Sequence, residues 1–270
     1  MNSITKNPLY LFALKILRCT LAPFSRLRML LIKLLIVLEE RNDPQYSLRW
    51  LFEVHSFVEE WIDRKAIEWG NGVHVKHELM RGIHSFFHER IPENAMVLDI
   101  GCGAGALANS IAANVKNVKV IGIDMNKDHI EFAQGNFARD NITFLQGDAT
   151  QNLPGLNVDV IVLSSFLEHV EKRVEFLKGL VETYNPSLFL IRVPTIERHF
   201  HSAMKRDLGI FCYVDKDHKT EYTSESFSQE MSDAGLEVVT KEVRWGDIWV
   251  ECRSLGKPIR LKDEKIGSMA

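Results

Sequence analysis

The sequence predicts an α/β fold: a doubly wound parallel sheet that ends in a C-terminal antiparallel hairpin and is preceded by an N-terminal helical segment. Three observations carry this prediction. From Met96 onward, short β-branched runs alternate with helical stretches on the spacing of right-handed βαβ units. The first of these runs, Val97-Leu98-Asp99-Ile100, opens into a glycine-rich turn, Gly101-Cys102-Gly103-Ala104-Gly105. The last two runs, Leu236–Val243 and Ile248–Ser254, meet around Trp245-Gly246-Asp247, which is too short a link for a parallel crossover. The chain divides accordingly into a helical extension or lid over 1–95, an α/β domain over 96–256 and a tail over 257–270.

Composition sets the outer limits. The 270 residues are 46% hydrophobic and 26% charged, enough for a large core and far from a disordered or fibrous chain. A net charge of −3 argues against a protein built to neutralise nucleic-acid phosphate, so no nucleic-acid partner is expected. The four cysteines, Cys19, Cys102, Cys212 and Cys252, are scattered with no Cys-x-x-Cys pair, which reads as a reducing, cytoplasmic chain without a disulfide framework.

Residues 1–38 break the average. They carry Lys6, Lys15, Arg18, Arg26, Arg28 and Lys33 with no acidic residue, so this segment is +6 and the remainder −9. No uncharged apolar run reaches the ~18 residues of a membrane span. Pro23 divides the segment into two helices, with Ser25 placed to cap the second. Two readings of these basic amphipathic helices stand: a lid or homodimer interface, and a peripheral contact with the inner face of a membrane through anionic lipid. The next stretch, 41–91, is helical in pattern and interrupted at Gly70-Asn71-Gly72. Its His77, His84 and His88 are spaced to share one helix face, directed at solvent or substrate.

The chemistry begins at the first strand. The glycine turn lets the backbone approach a ligand beside a helix N-terminus. Asp99 would repel a pyrophosphate but welcome a cationic amino-acid headgroup. The second strand ends in Asp124, placed to accept ribose hydroxyls, with Met125 after it. The third ends in Asp148-Ala149, where a carboxylate can accept from an exocyclic amine of a base. The fourth ends in Ser164-Ser165 and leads into Leu167-Glu168-His169-Val170. Four signals at successive strand ends point to one crevice at the switch point of the sheet.

Residues 96–170 resemble the class I S-adenosylmethionine-dependent methyltransferases, in the small-molecule, type 11-like branch whose fourth strand runs into Leu-Glu-His-Val. The resemblance implies a Rossmann-like sheet of seven strands and S-adenosyl-L-methionine as cofactor. It implies that Asp99, Gly101, Gly103 and Gly105 hold the methionine part, Asp124 the ribose, Asp148 and Ala149 the adenine, that Ser164 lines the cofactor near the sulfonium, and that Met125 is a further cofactor-binding residue. Relatives in quinone O-methylation and RNA end-methylation carry Glu-x-x-Glu-His and bind a divalent ion there. Ser165 stands in place of the first acid, so no metal is expected.

A hydroxyl acceptor needs a base, and His169, at the crevice mouth, is the first candidate, with His218 the second. The segment after the fifth strand is dense in Arg192, Arg198, His199, His201, Asp215, Asp217, His218 and Glu221, which suits a hydroxyl-rich or anionic small molecule. Asp215, Asp217 and Glu221 are also a possible hard-cation set. Thr223 is the expected N-cap of a helix with its body at Phe227–Ala234. Trp61–Arg64, the stretch 72–77 and Asp217–Thr223 resemble bacterial methyltransferases of cell-surface polysaccharide synthesis. The leading expectation is therefore an O-methyltransferase of a sugar or lipid-linked glycan precursor. A quinone or other lipophilic acceptor stands beside it, and a cofactor-binding regulatory protein with a degenerate site is the third reading.

Overall fold

The computed structural model describes residues 25–40, 43–80, 82–151 and 153–255, together with Phe12 and Lys15. Pro23, Lys6, Arg18, Cys19 and the tail 257–270 lie outside the described residues. The chain groups into two compact units, one ending at Glu60 and one beginning at Trp61.

In the first unit, helix α1 spans Ser25–Leu38. The residues before Ser25 lie outside the described residues, so its expected role as a cap does too. Helix α2, Pro44–Trp69, runs across the boundary between the units. No described helix is long and apolar enough to cross a membrane.

In the second unit, two short helices, α3 (Lys76–Leu79) and α4 (Ser85–His88), lead into strand β1 (Met96–Ile100). The order continues as α5 (Ala106–Asn114), β2 (Lys119–Asp124), α6 (Lys127–Asn136), β3 (Ile142–Gln146) and β4 (Val160–Ser164). A 3₁₀ turn at Leu167–His169 precedes α7 (Arg173–Tyr184) and β5 (Leu188–Pro194). Helix α8 (Phe200–Asp207), α9 (Ser224–Asp233), β6 (Leu236–Arg244) and β7 (Asp247–Ser254) complete the described chain.

The seven strands form one sheet in the order β3-β2-β1-β4-β5-β7-β6, parallel through β5 and antiparallel at β7 and β6. The expected seven-stranded sheet with a terminal hairpin is the fold observed. Its turn needs only Trp245 and Gly246, both at positive φ (56° and 79°), a pairing whose twist suits a hairpin. Side chains alternate between two cores, as a pleated strand requires. Val97, Val120, Val160 and Leu190 pack with α5, α6 and Phe86-Phe87 on one face. Leu98, Ile161, Leu163 and Ile191 pack with α7 and α9 on the other. The sheet order reverses between β1 and β4, and that is where the crevice opens.

The aligned histidine face is not formed. His77 ends up in α3, His84 just before α4 and His88 at the end of α4. Gly82, at φ 82°, turns the chain between them beneath the Arg244 guanidinium, where a Cβ would lie 2.9 Å from Nη1. His77 Nδ1 and His84 Nε2 instead meet across that turn at 3.0 Å.

Candidate active site

The glycine turn is tied to β2 before any ligand is considered. Gly101 N–H and Cys102 N–H both donate to Ile123 C=O at 2.8 and 3.1 Å. Gly103 N–H donates to Asp124 Oδ2 at 2.9 Å, while Asp124 Oδ1 accepts from Asn126 N–H at 2.8 Å. The turn passes through three positive φ values, and the reasons differ. A Cβ on Gly105 would sit 2.8 Å from the Phe144 ring and 2.9 Å from Ala133, so that glycine serves the packing of α5. A Cβ on Gly103 would meet nothing within 4 Å. The open space there is the room a ligand would use.

That space belongs to a cavity of about 260 Å³. Its lining includes Asp99, Gly101, Gly103 and Ala104 from the first strand and its turn, and Lys76, His77, Ser164, Ser165 and Arg192 from other segments. Ser164 and Arg192 are register partners on β4 and β5, which is why both reach the same rim. Asp99 is 1% exposed, and its Oδ2 has no hydrogen-bond partner among the described residues. Burial, reinforced by Asp124, pushes its carboxyl up to about 7. A buried, unpaired carboxylate lining a cavity calls for a cationic donor, and the ammonium of an amino-acid headgroup meets that demand. The residues present therefore fit the methionine end of S-adenosylmethionine.

The other expected cofactor contacts are less gathered. Met125 is 72% exposed and is not part of this cavity's lining. Asp148 accepts from Thr150 N–H and Oγ1 and from Gln151 Nε2, and the Thr150 hydroxyl holds its carboxyl below the usual range. Ala149 lines a second, larger cavity of about 840 Å³, along with Thr150, His169, Lys172, Phe176 and Lys219. The connection from Gly147 to Asp159 forms no helix among its described residues, and it borders this space together with α7.

Beyond β4 the chain turns sharply at Ser165, a non-glycine residue at φ 56°. Three residues on, Glu168, His169 and His218 bring one donor atom each to within 4.8 Å of one another. The two imidazoles meet edge to face, with ring centroids 4.7 Å apart. Glu168 is buried, its Oε2 has no partner among the described residues, and burial pushes its carboxyl up to about 7. Burial and then His218 lower His169, which favours its neutral imidazole. This cluster of two imidazoles and one carboxyl can move a proton, and it can also hold a divalent ion.

The loop beyond β5 is more structural than expected. Glu221 pairs with Arg198 and accepts from Val214 N–H at 2.6 Å, and it lies 3.0 Å from His218 Nδ1. Glu221 therefore positions His218, and it does not join Asp215 and Asp217 in a hard-cation set. His199 caps α8 by accepting from His201 N–H at 3.1 Å. Sequence reasoning missed Lys76, which lines the smaller cavity. Phe166 packs against the glycine turn, where a Cβ on Gly101 would lie 2.5 Å from its ring.

The comparisons agree with this geometry. Residues 91–249 match the family model for a methyltransferase domain. The chain is 32% identical over 131 residues to the mitochondrial ubiquinone biosynthesis O-methyltransferase of Saccharomyces cerevisiae, an alignment covering 46% of this chain and 40% of that protein. It is 33% identical over 105 residues to the ubiquinone biosynthesis O-methyltransferase of Rickettsia canadensis, covering 38% of this chain and 43% of that one. These alignments span less than half the length of either relative. A solved O-methyltransferase from neocarzinostatin biosynthesis shares the fold at a TM-score of 0.52 and 19% identity, over 67% of this chain and 55% of that one. Fold and family model converge: the chain belongs to the methyltransferase-domain family.

Proposed function

We propose that this enzyme O-methylates a hydroxyl of a lipophilic small molecule of the quinone-precursor class. The observation that carries this is the Glu168–His169–His218 cluster, which follows directly on the Ser164-Ser165 rim of the glycine-turn cavity. Bound S-adenosylmethionine supplies a methyl already activated by its sulfonium. What remains for the chain is to orient the acceptor and take its proton. Neutral His169 suits the second task, with His218 beside it and Glu221 holding His218 in place. A divalent ion held by the same three donors would instead lower the acidity threshold of the acceptor hydroxyl. Ser165 in place of a further acid favours the metal-free route.

The relatives named for ubiquinone biosynthesis favour the lipophilic acceptor over the glycan precursor, reversing the order expected from the sequence. Helix α1 supports the same choice. Ten of its 14 residues are exposed and apolar, from Leu27 to Leu38, interspersed with Arg26, Arg28 and Lys33 and no acid. A helix apolar on all sides needs a cover, and an anionic lipid surface matches both its apolar and its basic residues. Each cation contributes about 1 kcal/mol near such a surface.

The test is an incubation of the full chain with S-adenosylmethionine and two acceptors, a prenylated catechol and a nucleotide sugar. Release of S-adenosylhomocysteine and the product mass are followed with and without EDTA. Methylation of the catechol, insensitive to EDTA, is expected. Methylation of the sugar alone would restore the glycan reading, and abolition by EDTA would replace the base by an ion. Flotation with anionic vesicles should fail for the Arg26/Arg28/Lys33→Gln variant. Unchanged flotation would assign α1 to a lid or subunit interface.

A further inference from the structure

The two imidazoles of the Glu168–His169–His218 cluster are backed by different groups. His218 Nδ1 lies 3.0 Å from Glu221 Oε1, and the Glu221 side chain is wholly buried. That carboxyl group has further partners: Oε1 accepts from Val214 N–H at 2.6 Å, and Oε2 accepts from the Arg198 guanidinium. Behind His169 stands the backbone of Asp217, and the Asp215 and Asp217 carboxylates that act on this imidazole are open to water.

The fold holds Glu221 where it is. Tyr222 N–H donates to Pro194 C=O at 3.3 Å, and Tyr222 C=O accepts from Ile196 N–H at 3.0 Å and from Thr195 Oγ1 at 2.8 Å. These bonds clamp the residue beside the 3₁₀ turn Ile196–Arg198, which carries its cationic partner. On the other side, Lys219 N–H donates to Glu168 C=O at 2.7 Å and so ties the His218 segment to the end of β4.

These partners fix the tautomer of His218. A guanidinium and a backbone N–H can only donate, so Glu221 meets them as a carboxylate. A carboxylate can only accept, so the contact with His218 requires a proton on Nδ1. The lone pair is then on Nε2. An anion behind an imidazole stabilises the imidazolium more than a neutral backbone group does, and a buried anion is little screened by salt.

Resting on the O-methylation reading above and narrowing it, we propose that Glu221 is a positioning residue that locks His218 as its Nδ1–H tautomer, and that the acceptor's proton passes to Nε2 of His218 rather than to His169. The acceptor O–H bond breaks, its proton forms the Nε2–H bond of a His218 imidazolium, and its electron pair stays on oxygen for the methyl. Glu221, already ionised and held by Arg198, faces the new positive charge without moving.

Long-range ¹H–¹⁵N correlation on the full chain, labelled with ¹⁵N-histidine, reads the tautomer directly at neutral pH. EDTA is present so that no ion occupies a ring nitrogen, and His218→Gln identifies the signal. The wild type should show His218 protonated at Nδ1 and bare at Nε2. The double variant Glu221→Gln/Arg198→Met removes both charges together, so no buried cation is left unpaired. It should give His218 a mixture of tautomers or the opposite one. On the acceptor methylated in the assay above, it should lower kcat roughly 10- to 100-fold, the usual effect of losing a group that orients an imidazole. Its affinity for S-adenosylhomocysteine should stay within about twofold, which also reports that it is folded. His218→Gln should lower kcat about tenfold or more beyond His169→Gln.

A wild-type His218 protonated at Nε2, or at both nitrogens, overturns the proposal. So does a tautomer unchanged in the double variant, or a larger loss of kcat from His169→Gln than from His218→Gln. If neither acceptor is methylated, the O-methylation reading falls, and the spectrum still decides whether Glu221 sets the tautomer.

Discussion

The two sides of the glycine-turn cavity are built in opposite ways. Asp99, Gly101 and Gly103 come from one short stretch, and backbone hydrogen bonds to Ile123 and Asp124 fix their shape. Lys76, Ser165 and Arg192 come from three separate segments; the sheet order β1-β4-β5 brings Ser165 and Arg192 to the cavity, and helix α3, ahead of β1, brings Lys76. The first group is a local motif that fits the proposed cofactor. The second is a product of tertiary topology. Damage to the first group should therefore appear in cofactor affinity or folding, and damage to the second in turnover.

The largest expected effect sharpens this division. His169→Ala and His218→Ala should each lower turnover by roughly 10²–10⁴ with little change in cofactor affinity. Steady-state kinetics on the methylated acceptor, paired with calorimetry of S-adenosylhomocysteine, checks both halves. Turnover unmoved by either change would leave positioning as the whole of catalysis.

A smaller effect separates two glycines that look alike in sequence. Gly105→Ala forces a methyl into Phe144 and Ala133 at φ 83° and should cost ~3 kcal/mol or more of stability, seen as a lowered midpoint in denaturant. Gly103→Ala meets nothing in the free protein and should cost ~1 kcal/mol, while weakening cofactor binding by intrusion into the cavity. Equal destabilisation by the two would erase the distinction between a packing glycine and a ligand-facing one.

The remaining effect is a pH dependence. The Asp99 carboxyl, raised to about 7 by burial and Asp124, is protonated in the free protein below that pH. A cationic headgroup needs the carboxylate, so binding must expel a proton below pH 7. Affinity should then fall about tenfold per pH unit on the acid side of 7 and stay level above it. Calorimetry in two buffers of different ionisation enthalpy should detect the released proton, and Asp99→Asn should flatten the profile. A profile unchanged in Asp99→Asn would assign the titration to another group.

Much of the fold was legible because its signals are local. The strand run starting at Met96 stops at Ile100, where the glycines begin, and Thr223 caps α9 through a reciprocal pair of bonds with Ser226. That helix starts at Ser224, directly after its cap, as the run Thr223-Ser224-Glu225-Ser226 indicated. The histidines of 77–88 were misread for the opposite reason. Their turn at Gly82 is imposed by Arg244, which donates to Gly82 C=O at 3.0 Å from the far end of the chain. The site divides in the same way. Asp99, Gly101, Gly103 and Ser164 surround one cavity as the motif spacing indicated, whereas Lys76 joins it only through a fold that no local pattern records.

The central claim is that the Asp99 side of the cavity receives the amino-acid end of S-adenosylmethionine. Calorimetric titration of the wild type and Asp99→Ala with S-adenosylhomocysteine, and of the wild type with NADH, tests it most directly. The account predicts binding of S-adenosylhomocysteine at one site per chain, a loss of ~1–3 kcal/mol in Asp99→Ala, and no heat with NADH. NADH binding without S-adenosylhomocysteine binding, or an affinity untouched by Asp99→Ala, would contradict it.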